Sequence, residues 1–204
     1  MRKCLLILLV VFSGALWAQS AELWVNGGAS ILSNKNIGSP LPDGAPGDVQ
    51  LDSGFRIGLR FDYNSAGRFG HEIQYAYNRS DLSDRTGTLL PEPGSAAMNI
   101  NQGGYNLLYY LNATNEGAKV RPFFTVGVHF SDFVTPFAAF QRGDVFKAGI
   151  NYGGGMKFRI SPMFGWRFDI RGYDTGKPNW NGELFKQSGI LHQTEASVGL
   201  GFYF

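Results

Sequence analysis

Three stretches of the chain carry residue types that could do chemistry. In "GVHFSDF", His129 and Ser131 stand two apart, so an extended chain puts them on one side. A histidine base beside a serine nucleophile is the core of acyl-transfer chemistry, provided a carboxylate orients the imidazole. "HEIQY" begins at His71 like a helical zinc-peptidase motif, but the second histidine would fall at position 75, where Tyr75 stands. "YGGGMK" is rich in glycine but lacks the Lys-Ser or Lys-Thr ending of a phosphate-binding loop. His71, His129 and His192 lie on separate segments and form no metal-ligand cluster. No cofactor motif is present, and Cys4 is the only cysteine.

The elements that carry these residues are strands. In "LDSGFRIGLRFDY", Leu51, Ser53, Phe55, Ile57, Leu59, Phe61 and Tyr63 alternate with Asp52, Gly54, Arg56, Gly58, Arg60 and Asp62. A strand shows alternate residues to opposite sides, so one face is greasy and the other charged. "GWRFDIRGY" and "KAGINYGGGMKFRI" repeat the pattern. Eight such segments are expected, near 21–32, 50–63, 69–79, 98–111, 119–131, 145–160, 164–173 and 193–204. Most exceed the 5–6 residues usual in soluble sheets and reach the roughly 9–11 that a tilted strand needs to cross a bilayer.

The first twenty residues, "MRKCLLILLVVFSGALWAQS", have a basic start, a short apolar run and small residues after it. That is the pattern of a secretory signal peptide, with cleavage expected after Ala18 or Ser20 and a single domain over 21–204. The segment holds Arg2 and Lys3 and no acidic residue. Without it the 18 Lys and Arg become 16, equal to the 16 Asp and Glu. A balanced charge gives no footing for nucleic-acid binding. Cys4 also leaves, so disulfides cannot hold the exported domain together. No later apolar run approaches the ~18 residues of a membrane helix.

The connections alternate in kind. "SNKNIGSPLPDGAPGDV" and "SDLSDRTGTLLPEPGSAA" are long and polar, whereas "NSAGR", "NATNEGA" and "SPMF" are short. In an up-and-down meander, alternate connections share an end, so one end carries four long loops and the other tight turns. Leu41, Leu89, Leu90, Phe137, Phe140, Trp180, Leu184 and Phe185 sit in those loops, where packing of the loops on one another is the first expectation and contact with lipopolysaccharide or an unspecified surface partner the alternative.

A soluble lipocalin-type barrel would turn its apolar face inward, but the rings on that face, among them Phe55, Phe61, Tyr75, Tyr77, Tyr105, Trp166 and Phe168, would crowd an eight-stranded interior. The opposite face suits a narrow lumen. It carries Arg56, Arg60, Asp62, Glu72, Lys157, Arg159, Arg167, Asp169, Arg171 and Glu195, mixed with glycine. The expectation is an all-β transmembrane up-and-down antiparallel barrel of eight strands with a plugged lumen. In lipid every backbone polar group needs a partner, which a closed barrel provides and an open sheet does not.

"GYNLLYYL", "VRPFFTVGVHF", "INYGGGMKFRI", "FGWRFDIRGY" and the final "SVGLGFYF" resemble the small OmpA-like outer-membrane barrels of diderm bacteria. The last strand shows Ala196, Val198, Leu200, Phe202 and Phe204 on one face, which matches that family's C-terminal assembly signal. The resemblance implies the outer membrane as location. It implies outer-membrane lipid and lipopolysaccharide as surroundings, with periplasmic chaperones and the barrel-assembly machinery as partners in biogenesis. It implies no single activity and no cofactor. A non-enzymatic role in envelope integrity or surface interaction is the reading this supports. Two alternatives stand beside it. One is a narrow pore. The other is a lipid A deacylase, because His129 and Ser131 are similar to the His-x-Ser element of that enzyme family. The Asn-Ala that follows there is Asp132-Phe133 here, and alternation puts His129 and Ser131 in the lumen, away from a lipid substrate.

Overall fold

A computed structural model describes residues 20–39, 41, 43–45, 47–65, 67–87, 94–112, 118–134, 145–178 and 188–204. The proposed leader therefore lies outside the described residues, except Ser20, which already pairs with Asn64 in the first strand. The described elements are all strands: β1 Ser20–Ser33, β2 Asn36–Gly38, β3 Val49–Leu51, β4 Gly54–Asn64, β5 Phe69–Asp84, β6 Gly94–Tyr110, β7 Val120–Val134, β8 Val145–Arg159, β9 Phe164–Gly176 and β10 Ile190–Tyr203.

Eight of them close on themselves. Each pairs antiparallel with the next, β5 pairs with β6, and β1 pairs with both β4 and β10. The register fixes the stagger. From Leu32 the ladder passes through Gln193, Tyr173, Asn151, Gly127, Asn106, Glu72 and Asp62, and returns to β1 at Glu22. The drop from 32 to 22 is a shear of ten residues. Closure at this stagger tilts the strands and leaves an interior only as wide as the side chains that fill it.

The alternation follows the expected faces. Ile57, Leu59, Ile73, Tyr75, Val126, Ile150, Trp166, Phe168 and Leu200 point outward and are exposed, while Arg60, Asp62, Glu72, Lys157, Arg167, Asp169, Arg171 and Glu195 are buried inside. Burying this many charges while exposing this many apolar side chains is the reverse of a soluble core, and it suits hydrocarbon outside.

Two features depart from the sequence reading. Leu51 does not share a face with Phe55. Leu51 pairs with Leu82 and Phe55 with Arg79, so four residues on one side span three on the other. This one-residue bulge at Asp52–Ser53 re-aims the chain and turns Leu51 into the interior, where it is fully buried. The strands also run further than expected into the long-connection end: β5 continues to Asp84 and β6 starts at Gly94. What holds them is a second core. Leu32, Ile37, Val49, Leu51, Leu82, Met98, Ile100, Phe133 and Leu191 pack inside the barrel mouth, with Val145 against them. Outside, on the same stretch, stand Arg79, Asp81, Asn99 and the ion pair of His192 with Asp174. The faces have exchanged character, as they must where the wall leaves lipid for water. By the rule that outer-membrane barrels keep short turns on the periplasmic side, this is the outer end.

Candidate functional site

The lumen is layered. At the periplasmic end Trp24 meets Tyr203 edge-on with ring centroids 5.7 Å apart, and Tyr110 meets Phe123 at 6.0 Å. Small residues make room for these rings. Gly201, directly across from Trp24 on β10, lies beneath the indole, and a Cβ there would collide with it. Gly199 lies under Asn26, Gly153 under Arg171 and Gly155 under Phe123 in the same way.

Above the rings, five carboxylates and six cations interlock. Lys157 Nζ donates to Glu22 Oε2 at 2.5 Å, to Asp62 Oδ2 at 2.5 Å and to the Tyr110 hydroxyl at 2.6 Å. Glu22 also accepts from Arg121 at 2.9 Å, from Asn64 at 2.7 Å and from the Trp24 indole at 3.0 Å. Arg167 joins Asp62 at 2.8 Å to Glu72 at 2.6 Å, and Arg171 joins Glu72 at 2.6 Å to Asp169 at 2.9 Å. Arg60 continues from Asp169 at 2.8 Å to Glu195 at 2.6 Å, and Arg56 closes on Glu195 at 3.2 Å. Every carboxylate therefore has at least two cations. An isolated buried charge costs several kcal/mol, and a lumen of this polarity is stable only with such pairing.

Above the ions the lumen turns to amides. Gln102 accepts from Arg56 and donates to Ser131 at 2.9 Å and to Gln193 at 2.8 Å, and Gln193 donates to Ser30 at 2.8 Å. The apolar mouth lies beyond. Rings, ions, amides and aliphatics thus follow one another along the axis.

Nine of the ten charges assigned to the lumen from sequence join this chain of ion pairs. Arg159 does not. It lies at the β8–β9 turn, donates to the Pro162 carbonyl at 2.8 Å and rests over the Tyr203 ring at 4.9 Å, because β8 leaves the barrel there. Glu22 and Arg121 belong to the ionic layer and were not among the ten. Alternation with Trp24 and Asn26 on β1, and with Thr125 and Gly127 on β7, was their available signal. His129 and Ser131 are both buried in the lumen and point to separate partners. The imidazole Nε2 meets Thr175 Oγ1 at 2.7 Å, and the Ser131 hydroxyl accepts from Gln102. Ala196, Val198, Leu200 and Phe202 face outward on β10, as does the exposed Phe204 just beyond it, whose amide donates to the Ala21 carbonyl at 2.9 Å, across the β1–β10 seam. Leu41 is exposed; the other apolar loop residues singled out, Leu89, Leu90, Phe137, Phe140, Trp180, Leu184 and Phe185, lie outside the described residues.

A closed eight-stranded wall, greasy outside and ion-paired inside, defines a transmembrane barrel of the bacterial outer membrane. The chain belongs to the family of outer membrane protein beta-barrel domains, whose match runs over residues 4–204. Among solved structures it is similar to OprG from Pseudomonas aeruginosa, with 16% identity, TM-score 0.59 and coverage of 92% of this chain and 97% of that one. Neisserial surface protein A is similar at 12% identity and TM-score 0.57, covering 90% and 97%. AlkL, solved by solid-state NMR in lipid bilayers, is similar at 12% identity and TM-score 0.54, covering 92% of each chain. At these identities the likeness is one of fold. No curated protein matches the sequence.

Proposed function

We propose that this protein is a non-enzymatic outer-membrane barrel that serves envelope integrity or surface interaction through its four long outer connections. One observation carries the reading. The five carboxylates and six cations of the lumen are spent on one another, so the interior is a structural plug and surface contacts are left to the loops. Arg167 alone bridges Asp62, Glu72 and Asp169 from three different strands. His129 and Ser131 belong to that plug in this reading, as hydrogen-bonding members of the amide layer. The partners it requires are lipopolysaccharide and outer-membrane lipid around the wall, and periplasmic chaperones and the barrel-assembly machinery during insertion.

Two measurements test it. In planar bilayers the folded protein should give no large, stable single-channel steps; such steps would overturn the plug. In cells, replacing residues 85–93, 135–144 and 177–189 by short turns should leave a heat-modifiable barrel but change detergent sensitivity or surface adhesion. Cells that match the wild type in both properties would remove the role assigned to the loops.

A further inference from the structure

At the outer end the wall continues as a small sheet in the order β2, β3, β5, β6. β5 and β6 pair without a break from Phe69 with Tyr109 to Asp84 with Gly94, whereas β6 and β7 pair only as far as Asn99 with Val134. Among the described residues, 94–98 are therefore the free edge of that sheet.

Parity decides which backbone groups the edge holds open. The N–H and C=O of one residue point to one neighbouring strand, and those of the next residue to the other. The Tyr110 amide donates to the Arg68 carbonyl, toward β5, at 2.7 Å, and the Leu111 amide to the Pro122 carbonyl, toward β7, at 3.0 Å. Odd positions of β6 thus bond away from β5. Asp81 agrees: its carbonyl accepts from the Asp52 amide at 2.7 Å, on the other side of β5, so its partner Ala97 is turned outward from the pair. Ser95 and Ala97 each hold out one N–H and one C=O, the two residues about 7 Å apart. No described residue pairs with them. Continued at the same register, the position opposite Ala97 is 136, a proline, which has no N–H to give.

Edges are normally blunted by charge, proline or a bulge, and residues 94–98 carry none of these. They lie beyond Asn99, where the wall has left hydrocarbon, so the edge meets water. The opposite edge of the same sheet is covered, since Lys177 Nζ donates to the Asn36 carbonyl on β2 at 2.7 Å.

We infer that the outer edge of β6 takes up an extended segment of another protein as an added strand, paired with Ser95 and Ala97. This deepens the surface-interaction reading and rests on it. Donors and acceptors in one line at strand spacing match a polypeptide backbone, and the edge has no charged side chain to select an anion or a cation. A second copy upright in the same membrane is disfavoured, because a twofold axis along the membrane normal sets each N–H against its own counterpart.

Amide hydrogen exchange, followed by NMR on the full protein in lipid nanodiscs, tests this with a capped octapeptide of alternating Thr and Val as the probe. In the free protein the Ser95 and Ala97 amides should exchange at least tenfold faster than those of Ala96 and Met98, which bond to β5. Saturating peptide should slow Ser95 and Ala97 at least tenfold, and the fully N-methylated peptide should not. Ala97→Pro removes only an outward donor and should abolish the slowing at Ser95; Ala97→Lys should weaken it several-fold. Ser95 and Ala97 already protected in the free protein, equal protection by the N-methylated peptide, or full protection of Ser95 in Ala97→Pro would each overturn the inference. So would protection that grows with protein concentration alone, the mark of a second copy. If Ala97→Pro gives no heat-modifiable barrel, Ala97→Lys decides: peptide protection equal to the wild type refutes the site. The loop replacements test the parent reading separately. Altered adhesion there, with no peptide effect here, removes this inference and leaves the surface-interaction reading in place.

Discussion

Replacing Lys157 by methionine keeps an unbranched side chain one atom shorter and removes the charge on which two carboxylates converge. Glu22 and Asp62 each lie 2.5 Å from Lys157 Nζ, and all three side chains are buried. Breaking a buried pair from one side costs about 3–5 kcal/mol, because a charge is left in a poor solvent. Two stranded carboxylates would suggest twice that. Each keeps a second cation, however: Arg121 remains 2.9 Å from Glu22 and Arg167 2.8 Å from Asp62. The expected loss is therefore near the low end, about 3 kcal/mol, or roughly a hundredfold in the folding equilibrium. Urea titration in lipid vesicles measures it, with the heat-modifiable band on gels as the report of the folded barrel. Lys157→Met combined with Asp62→Asn should recover part of the loss, since one unpaired charge is removed with its partner. Arg159→Met is the control, expected within about 0.5 kcal/mol of wild type because no carboxylate among the described residues pairs with it. Lys157→Met within 0.5 kcal/mol of wild type would show that the ionic layer does not hold the barrel.

Gly201→Val would drive a side chain into the Trp24 ring, at a cost of ~1–3 kcal/mol or more, and should reduce the yield of folded barrel on gels, whereas Gly27→Val should not. At the outer rim the Lys35–Asp52 pair is half exposed, so Asp52→Asn should cost under about 1 kcal/mol at neutral pH. Burial raises the Asp52 carboxyl, but hydrogen bonds from Lys35 and Ser83 outweigh it and hold it below its ordinary value. A depressed carboxylate stabilises above its ordinary value and loses that contribution as pH falls through the lowered one. The gap between Asp52→Asn and wild type should thus close in strong acid and persist at pH 5 to 7, as urea midpoints will report. Ser131→Ala should leave the lipid A of expressing cells unchanged by mass spectrometry; loss of an acyl chain in the wild type alone would restore a deacylase reading. Deleting Phe204 should lower insertion more than deleting an equally large residue from a long connection, and equal barrel yields would leave that residue only its seam contact with Ala21.

Much of the barrel was legible because lipid imposes a period of two on every strand. Ile57, Leu59 and Phe61 alternate with Arg56, Arg60 and Asp62, and no tertiary knowledge is needed to separate those faces. Register was not legible. That Glu22 faces Asp62 across a ladder, and that Lys157 reaches both from the far wall, depends on a shear that no single strand encodes. Arg159 shows the same limit from the other side. Its parity is correct, yet the strand ends beneath it and its guanidinium turns to Pro162 and Tyr203.

The outer mouth explains why the strands looked shorter than they are. Reading inward positions as polar works only where lipid is outside. Beyond Ser80 on β5 the inward residue is Leu82, and on β6 the inward residues before Gln102 are Met98 and Ile100. Alternation persists there with its sense exchanged, so a search for greasy outward faces stops near Arg79 although the ladder continues to Asp84. The exchange is a physical marker of where the wall leaves hydrocarbon. It also closes the lumen a second time, since an apolar core above an ionic one leaves hydrated ions two unlike barriers in series. Opening the mouth alone, for example by Phe133→Ala and Leu191→Ala, should therefore destabilise the barrel by a few kcal/mol without creating conductance, because the ion pairs from Glu22 to Glu195 still span the interior beneath. Stable channel steps from that double variant would mean that the aliphatic mouth, and not the ionic layer, is the seal.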